Sequence, residues 1–313
     1  MNIQLTSPMA LLLAFCAVFV ACEPAAEPDK SSADAPAKPA AQPVKEVPKE
    51  PATPPAPAIK AEVRGKDQRE MVFVSAGPFV RGSKDDVGTE EERPQKTLNI
   101  DAFWIDRTEI SVADWRKCVE AGPCRNTQKL YREYKAKKKK RPEQCNYGQE
   151  GRENHPMNCV SWHGARIYCK WAGKRMPTEA EWEKAARGTD GRLYPWGNQK
   201  ADCSRACMIK QSLYGCGQRT SCPVKSKGKR GMSPYGAYDM AGSVYEWVAD
   251  TYTRDFYMNA PQDNPVNKAR TAQRPVRGGA YSSDDDGVRT AKRSSFEAKA
   301  RTRFVGFRCA MNP

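Results

Sequence analysis

Beyond about residue 66 the sequence predicts one disulfide-stapled domain that mixes short strands with short helices and is poor in long regular elements. Three observations predict it. Apolar and polar residues alternate in brief runs near Met71 and Thr97; three helical segments with capping residues occupy the middle; and after Gly188 the chain turns aromatic, glycine-rich and irregular. Such a domain must build its core from loops, aromatic side chains and cross-links.

The first residues lie outside that domain. An apolar run from about Met9 to Ala21 is too short to cross roughly 30 Å of hydrocarbon as a helix, and it ends in small residues, so residues 1–21 read as a signal peptide. No Lys or Arg precedes the run, which departs from the usual pattern. The stretch Phe19-Val20-Ala21-Cys22 resembles the lipobox of bacterial lipoproteins, which makes Cys22 the lipidated residue. From Cys22 to Lys66 the composition is Pro, Ala, Lys and Glu without an aromatic residue, as expected of an extended, solvated tether. These features predict a bacterial envelope protein, held to a membrane by its lipid, on the periplasmic side or at the outer-membrane surface.

Residues 22–66 hold seven basic and seven acidic side chains, so the formal net charge of +15 belongs to residues 67–313. Lys137–Arg141 (KKKKR) and Lys225–Arg230 (KSKGKR) supply much of the excess. Nucleic acid is the reflex partner for such runs, but an exported protein seldom meets it. An acidic envelope polymer or another envelope protein fits the charge better, beside the plainer reading that these are solvated loops.

Ten cysteines remain after Cys16 and Cys22 are set aside, an even number in an exported chain, which points to disulfides. No pair has Cys-x-x-Cys spacing, and His155 and His163 are the only histidines, so zinc is disfavoured. Proximity in sequence pairs Cys118 with Cys124 and Cys145 with Cys159.

Taken in order, MVFVSAGPFVRGS from Met71 fits a short hairpin around Gly77-Pro78, and TLNIDAFWIDRTEIS reads as a further strand. Ser111 caps a helix that stops at Gly122. Residues 127–152 are polar, basic and aperiodic, a surface insertion ordered partly by Cys145. Ser161 caps a second helix, with Trp162, Ala165, Tyr168, Cys169 and Trp171 at helical spacing and Gly173 at its end. Thr178 and Glu181 form the capping box of a third, which ends at Gly188.

The ordered segments HPMNCVSWHGARIYCKWAGKRMPTEAEWEKAARG, YPWGN, SPYGAYDMAGSVYEW, VRGGAY and GFRCA resemble the formylglycine-generating enzyme family of sulfatase-modifying factors. The resemblance covers about Met71 to Pro313. It implies a single compact α+β domain with little regular secondary structure, related to the C-type lectin fold. Active members oxidise a sulfatase cysteine to formylglycine with copper and oxygen, holding copper(I) on two cysteines that follow the Gly-Gly bend.

At the matching positions this chain has Ser283 and Val288. A serine oxygen is hard and a valine has no lone pair, so no copper is expected. The sulfoxide synthases of the same superfamily use iron on three histidines from a separate helical domain, and this chain has two histidines and no such domain. Ser282 or Ser283, with Asp284, Asp285 or Asp286 nearby, would need a base for nucleophilic chemistry, and neither histidine lies in a suggestive motif. No catalytic residue is assigned: an exported, lipid-anchored binding or assembly protein on this scaffold is expected, and the alternatives are a divergent oxidase or a serine hydrolase.

The resemblance also implies one calcium site in YDMAGSVYEW: the side chain of Asp239, the carbonyls of Gly242 and Val244, and the carboxylate of Glu246, a hard oxygen set. The plain alternative is a turn at Asp239 and a salt bridge at Glu246. The resemblance pairs Cys169 with Cys309. The family's other calcium site falls near Cys207 and Cys216, where a Cys207–Cys216 link bracketed by Cys203–Cys222 would replace the ion; the rival pairing is 203–216 with 207–222.

Overall fold

In the computed structural model the described residues are 58–125 and 145–313. The signal segment, Cys22, nearly all of the expected tether and Lys137–Arg141 lie outside them. Strands β1 (Ala61–Arg64), β2 (Arg69–Val74), β5 (Phe103–Asp106) and β10 (Ala310–Met311) form an antiparallel sheet in the order β1-β2-β5-β10. Strands β3 (Gly77–Arg81) and β4 (Lys96–Ile100) form a two-stranded ribbon. A third sheet runs β8-β7-β6-β9, from β6 (Tyr245–Trp247), β7 (Gln273–Arg277), β8 (Ser294–Glu297) and β9 (Val305–Phe307), with β6 and β9 parallel.

Three expectations change here. The stretch around Gly77-Pro78 is not a hairpin, because β2 pairs with β1 and β5 while β3 pairs with β4. Likewise the single strand-like run from Thr97 splits into β4 and β5, which serve different sheets. The tether boundary moves as well: β1 lies within residues 22–66, pairing Ala61 with Val72 and Arg64 with Arg69. Its residues alternate between exposed and half-buried, an edge strand without the apolar face that would show it in sequence.

The helices follow their local signals. In α1 (Val112–Glu120) the Ser111 hydroxyl accepts from Asp114 N, and Asp114 returns the contact as a capping box. In α2 (Trp162–Trp171) the Ser161 hydroxyl accepts from Gly164 N, and in α3 (Glu179–Arg187) Thr178 and Glu181 form the box. A one-turn α4 spans Phe256–Asn259.

Two cores result. Around α2, Trp115, Tyr168, Trp247 and Phe307 pack with the third sheet; around α3, Trp182 packs with Val72, Ile105 and Val248. The cores meet in Val305–Met311, whose first three residues are β9 and whose last two are β10. Between them Arg308 is fully buried and Cys309 is bonded to Cys169 of α2, with the two Cα atoms 5.6 Å apart. Cys118 bonds Cys124 and Cys145 bonds Cys159. Among the described residues no helix is long and apolar enough to cross a membrane.

The remaining pairs correct the favoured pairing. Cys203 bonds Cys216 and Cys207 bonds Cys222. A turn at Lys210–Leu213 brings the flanking segments side by side, which alone would favour nested links. Gly215 and Cys216 then both take left-handed backbone (φ 59° and 57°), and this twist turns the Cys216 sulfur back towards Ala206 O at 3.4 Å. The links therefore cross.

Candidate functional site

The segment after the Gly-Gly bend is held at both ends by buried arginines. Arg277 pairs with Glu183 at 2.8 Å and with Glu179 at 3.3 Å, which ties β7 to α3. Arg293 binds Glu179 at 2.8 Å, and Arg289 binds Glu92 at 2.6 Å. These contacts hold the Glu92 carboxyl down at about 2 even though burial opposes it, through hydrogen bonds from Arg289 and Ser83 and the Arg289 charge. Removing one partner of such a buried pair strands the other, so the clamp is strongly coupled.

Gly279 sits at φ 74°, and a Cβ there would lie 2.6 Å from Gly287 O and 2.9 Å from Val288 Cγ1. Glycine is therefore required where the bend closes on the segment's far end. Ser283, at the first copper position, receives a hydrogen bond from Ala280 N (3.0 Å) and lies 3.4 Å from the Tyr245 hydroxyl. Val288, at the second, is fully buried among Tyr194, Ala201, Ala206, Met208 and Ala241. One position thus offers a hydroxyl engaged in a turn, the other an aliphatic side chain filling a core. Neither suits a soft metal.

The acidic triplet is engaged locally. Asp284 accepts from Gly287 N (2.9 Å), Asp285 faces Lys200 (3.1 Å) and Asp286 binds Arg289 (2.7 Å). The Ser282 and Ser283 hydroxyls find no histidine partner among the described residues. His155 Nδ1 lies 3.2 Å from Ser221 Oγ, and burial followed by the Arg152 charge lowers its pKa to about 4. His163 is exposed on α2, edge-on to Trp162. The crossed-disulfide loop braces the segment from outside, since Ile209 N donates to Ser283 O and Gly215 N to Tyr281 O.

The four residues expected to hold calcium lie in the stretch 239–246 that leads into β6, beside this segment. Gly242 N donates to Gly278 O at 2.7 Å. Asp239 takes left-handed backbone (φ 56°) and accepts from Lys225 N at 2.5 Å. Glu246 accepts from Arg308 at 2.6 and 2.7 Å and from Trp182 Nε1 at 2.7 Å. Both the turn and the salt bridge of the plain alternative are therefore present. Among the described residues no hydrogen-bond donor reaches the Gly242 or Val244 carbonyl in a turn, loop or side-chain contact.

A further acid, Glu109, was not singled out in the sequence. It is fully buried, its oxygens make no hydrogen bond of good geometry, and the Ser243 hydroxyl and the Asp239 carboxyl are neighbours with which it can share a proton. Burial, then the charges of Asp239 and Glu246, push the Glu109 pKa well up, and burial raises Asp239 likewise. Three acids thus face one guanidinium. A buried carboxylate left in this state needs a proton or a cation. Among the described residues no three His, Cys, Asp or Glu side chains converge closely enough to hold a metal by themselves, so a cation here would depend on the carbonyls as well. Nothing in the sequence TEIS marked Glu109, because its burial is produced by the tertiary fold.

Comparison with known proteins places these features. The family described as the sulfatase-modifying factor enzyme 1-like domain matches residues 56–313. A formylglycine-generating enzyme of Streptomyces coelicolor is 31% identical over 298 residues, covering 81% of this chain and 94% of that protein. A serine/threonine-protein kinase, pkn1, of Chlamydia caviae is 35% identical over 247 residues, and this chain spans only 38% of its length. Among solved structures, that of PvdO from Pseudomonas aeruginosa superposes with a TM-score of 0.65 at 24% identity, covering 84% of this chain and all of that one, a likeness of fold.

Proposed function

The chain belongs to the sulfatase-modifying factor enzyme 1-like domain family, and on that premise we propose that it is an exported, lipid-anchored binding or assembly protein on the family scaffold, without the copper oxidase centre. One observation carries the reading: Val288 fills a hydrophobic core where a copper thiolate would have to stand. The lipobox-like Phe19–Cys22, the neutral tether and the basic domain support export, anchoring and an acidic partner in the envelope. The competing reading is a divergent enzyme.

The test is direct. The purified protein is incubated with copper(I), oxygen and a sulfatase-type cysteine peptide, and the peptide is followed by mass spectrometry for conversion to the aldehyde. The reading expects no conversion, together with retention on anionic envelope material that weakens as salt screens the charge. Turnover would overturn it.

Within this reading calcium is the resident ion. Asp239, Glu246 and the carbonyls of Gly242 and Val244 would hold it, and the buried Glu109 carboxyl would add charge on giving up its proton to make way for a hard cation. Such an ion would fix the loop beneath the Gly-Gly bend. Calorimetric titration of chelator-treated protein should show calcium binding to the wild type and none to Asp239→Ala. Equal binding by both would place the ion elsewhere.

A further inference from the structure

Away from residues 277–293 the surface holds a groove of about 960 Å³, walled by one side of α2, the start of α3 and the loop around Asn264. Arg166 and Lys170 stand one turn apart on α2, both exposed and lining it, and among the described residues neither has an ion-pair partner. Like charges at this spacing destabilise a helix slightly. A third cation adds to them: Arg274 stacks on Trp162 with its guanidinium carbon 4.3 Å from the ring centroid, while Arg166 lies 5.8 Å from the same ring. The Arg274 Nε is buried without a hydrogen-bond partner.

The other charged groups of the groove leave this excess in place. Glu181 is neutralised by Arg175 at 2.7 Å, and Lys174 is spent on Asp67 and Asp106 at 2.8 and 2.7 Å. Asp101 and the carboxylate at Pro313, which also lines the groove, are the remaining acids, two against the three cations. The polar lining is also biased towards donors. The Asn264 side-chain oxygen is taken by Asp101 N (2.8 Å) and that of Asn312 by Arg175 Nε (2.8 Å), so each carboxamide nitrogen is left to donate.

We propose that this groove, walled by Arg166, Lys170, Asn264 and Asn312, is where the protein takes hold of an acidic glycan, a chain of sugar rings bearing carboxylates. The inference rests on the binding-protein reading and names its site. Two unpaired cations a helical turn apart suit spaced carboxylates, and the carboxamides and Asp101 suit the hydroxyls between them. The volume exceeds what a single small anion fills and accommodates a short oligosaccharide.

The experiment uses the full chain and a fluorescent oligogalacturonate, with its methyl-esterified form as the uncharged probe and poly-glutamate as the peptide probe. Wild type, R166E/K170E and a control reversed in the other basic run, K229E/R230E, are compared by anisotropy, after circular dichroism and non-reducing peptide mapping establish that each is folded. We expect R166E/K170E to lose ~10-fold or more in affinity for oligogalacturonate and K229E/R230E to stay within about 2-fold of wild type. The esterified probe should bind weakly to all three. If wild type binds no acidic probe, the binding reading itself fails. If wild type binds and R166E/K170E binds equally well, or the control loses as much, the groove is the wrong site while the reading stands. Tighter binding of poly-glutamate than of the glycan overturns the choice of a sugar chain.

Discussion

Replacing both Cys169 and Cys309 with Ala should cost this domain a large share of its stability. The cross-link spans 140 residues. The crossed links inside that loop shorten the effective path only to about 125 residues, for which the chain-entropy relation gives about 5 kcal/mol at room temperature. Both sulfurs belong to fully buried residues, so the small voids left by Ala add about 1 kcal/mol. Domains of this size are stable by roughly 5–15 kcal/mol, so the variant should be marginal or unfolded. Urea denaturation under non-reducing conditions, followed by tryptophan fluorescence, measures the change. Two signatures should appear together: a fall in unfolding free energy of several kcal/mol, and a steeper urea dependence as the unlinked chain expands on unfolding. A loss below about 1 kcal/mol with an unchanged slope would refute the argument; the two ends of the domain would then be held by packing alone.

Asp250 gives a pH test. It is buried and accepts from Asn267 N (2.8 Å) and Glu179 N (2.7 Å), yet burial and the Glu179 charge raise its pKa to about 7. A carboxyl raised on folding lends stability that is complete below its unfolded value and is lost as pH rises through the folded one. The loss from this group is on the order of 4 kcal/mol between roughly pH 4 and 7. Urea unfolding at pH 5 and at pH 8.5 should show wild type weaker at the higher pH and Asp250→Asn much less affected; an equal pH dependence in both would contradict the assignment. Gly279→Ala should lower the melting temperature, since left-handed backbone costs about 1–3 kcal/mol for a residue with a Cβ and the new methyl would meet Gly287 O. Calorimetry showing no decrease would mean that the bend is not tight.

What could be read from the sequence was what is settled locally. Ser111, Ser161 and Thr178 announced their helices because a cap and its donor lie within three residues of each other. Strand partnership could not be read in the same way: β2 ignores the adjacent β3 and joins β5, some thirty positions on, because the partner is chosen by the sheet. The tie of Cys169 to Cys309 followed from the family resemblance, whereas the order among Cys203, Cys207, Cys216 and Cys222 depended on left-handed backbone at Gly215 and Cys216. At the candidate site the missing copper ligands were legible as Ser283 and Val288, but the acids that matter most, Glu92, Glu109, Glu179 and Glu183, were not. Each is buried only because distant arginines or a folded cleft enclose it.

The dual membership of Val305–Met311 bears on how the protein reaches its native state. Ala310 pairs with Ile105 and Val305 with Tyr245, so neither four-stranded sheet is complete until this one short stretch is in place. Contacts so distant along the chain make for slow folding, and meanwhile β5 and β6 each present an unfilled edge able to pair with another chain. The two sheets are correspondingly unable to open one at a time, because withdrawing the shared stretch removes a strand from both and drags Arg308 out of its carboxylate. The native protein should therefore come apart in a single step, and its most vulnerable moment is before the stretch is seated, when an oxidant able to join Cys169 to Cys309 would act as the latch.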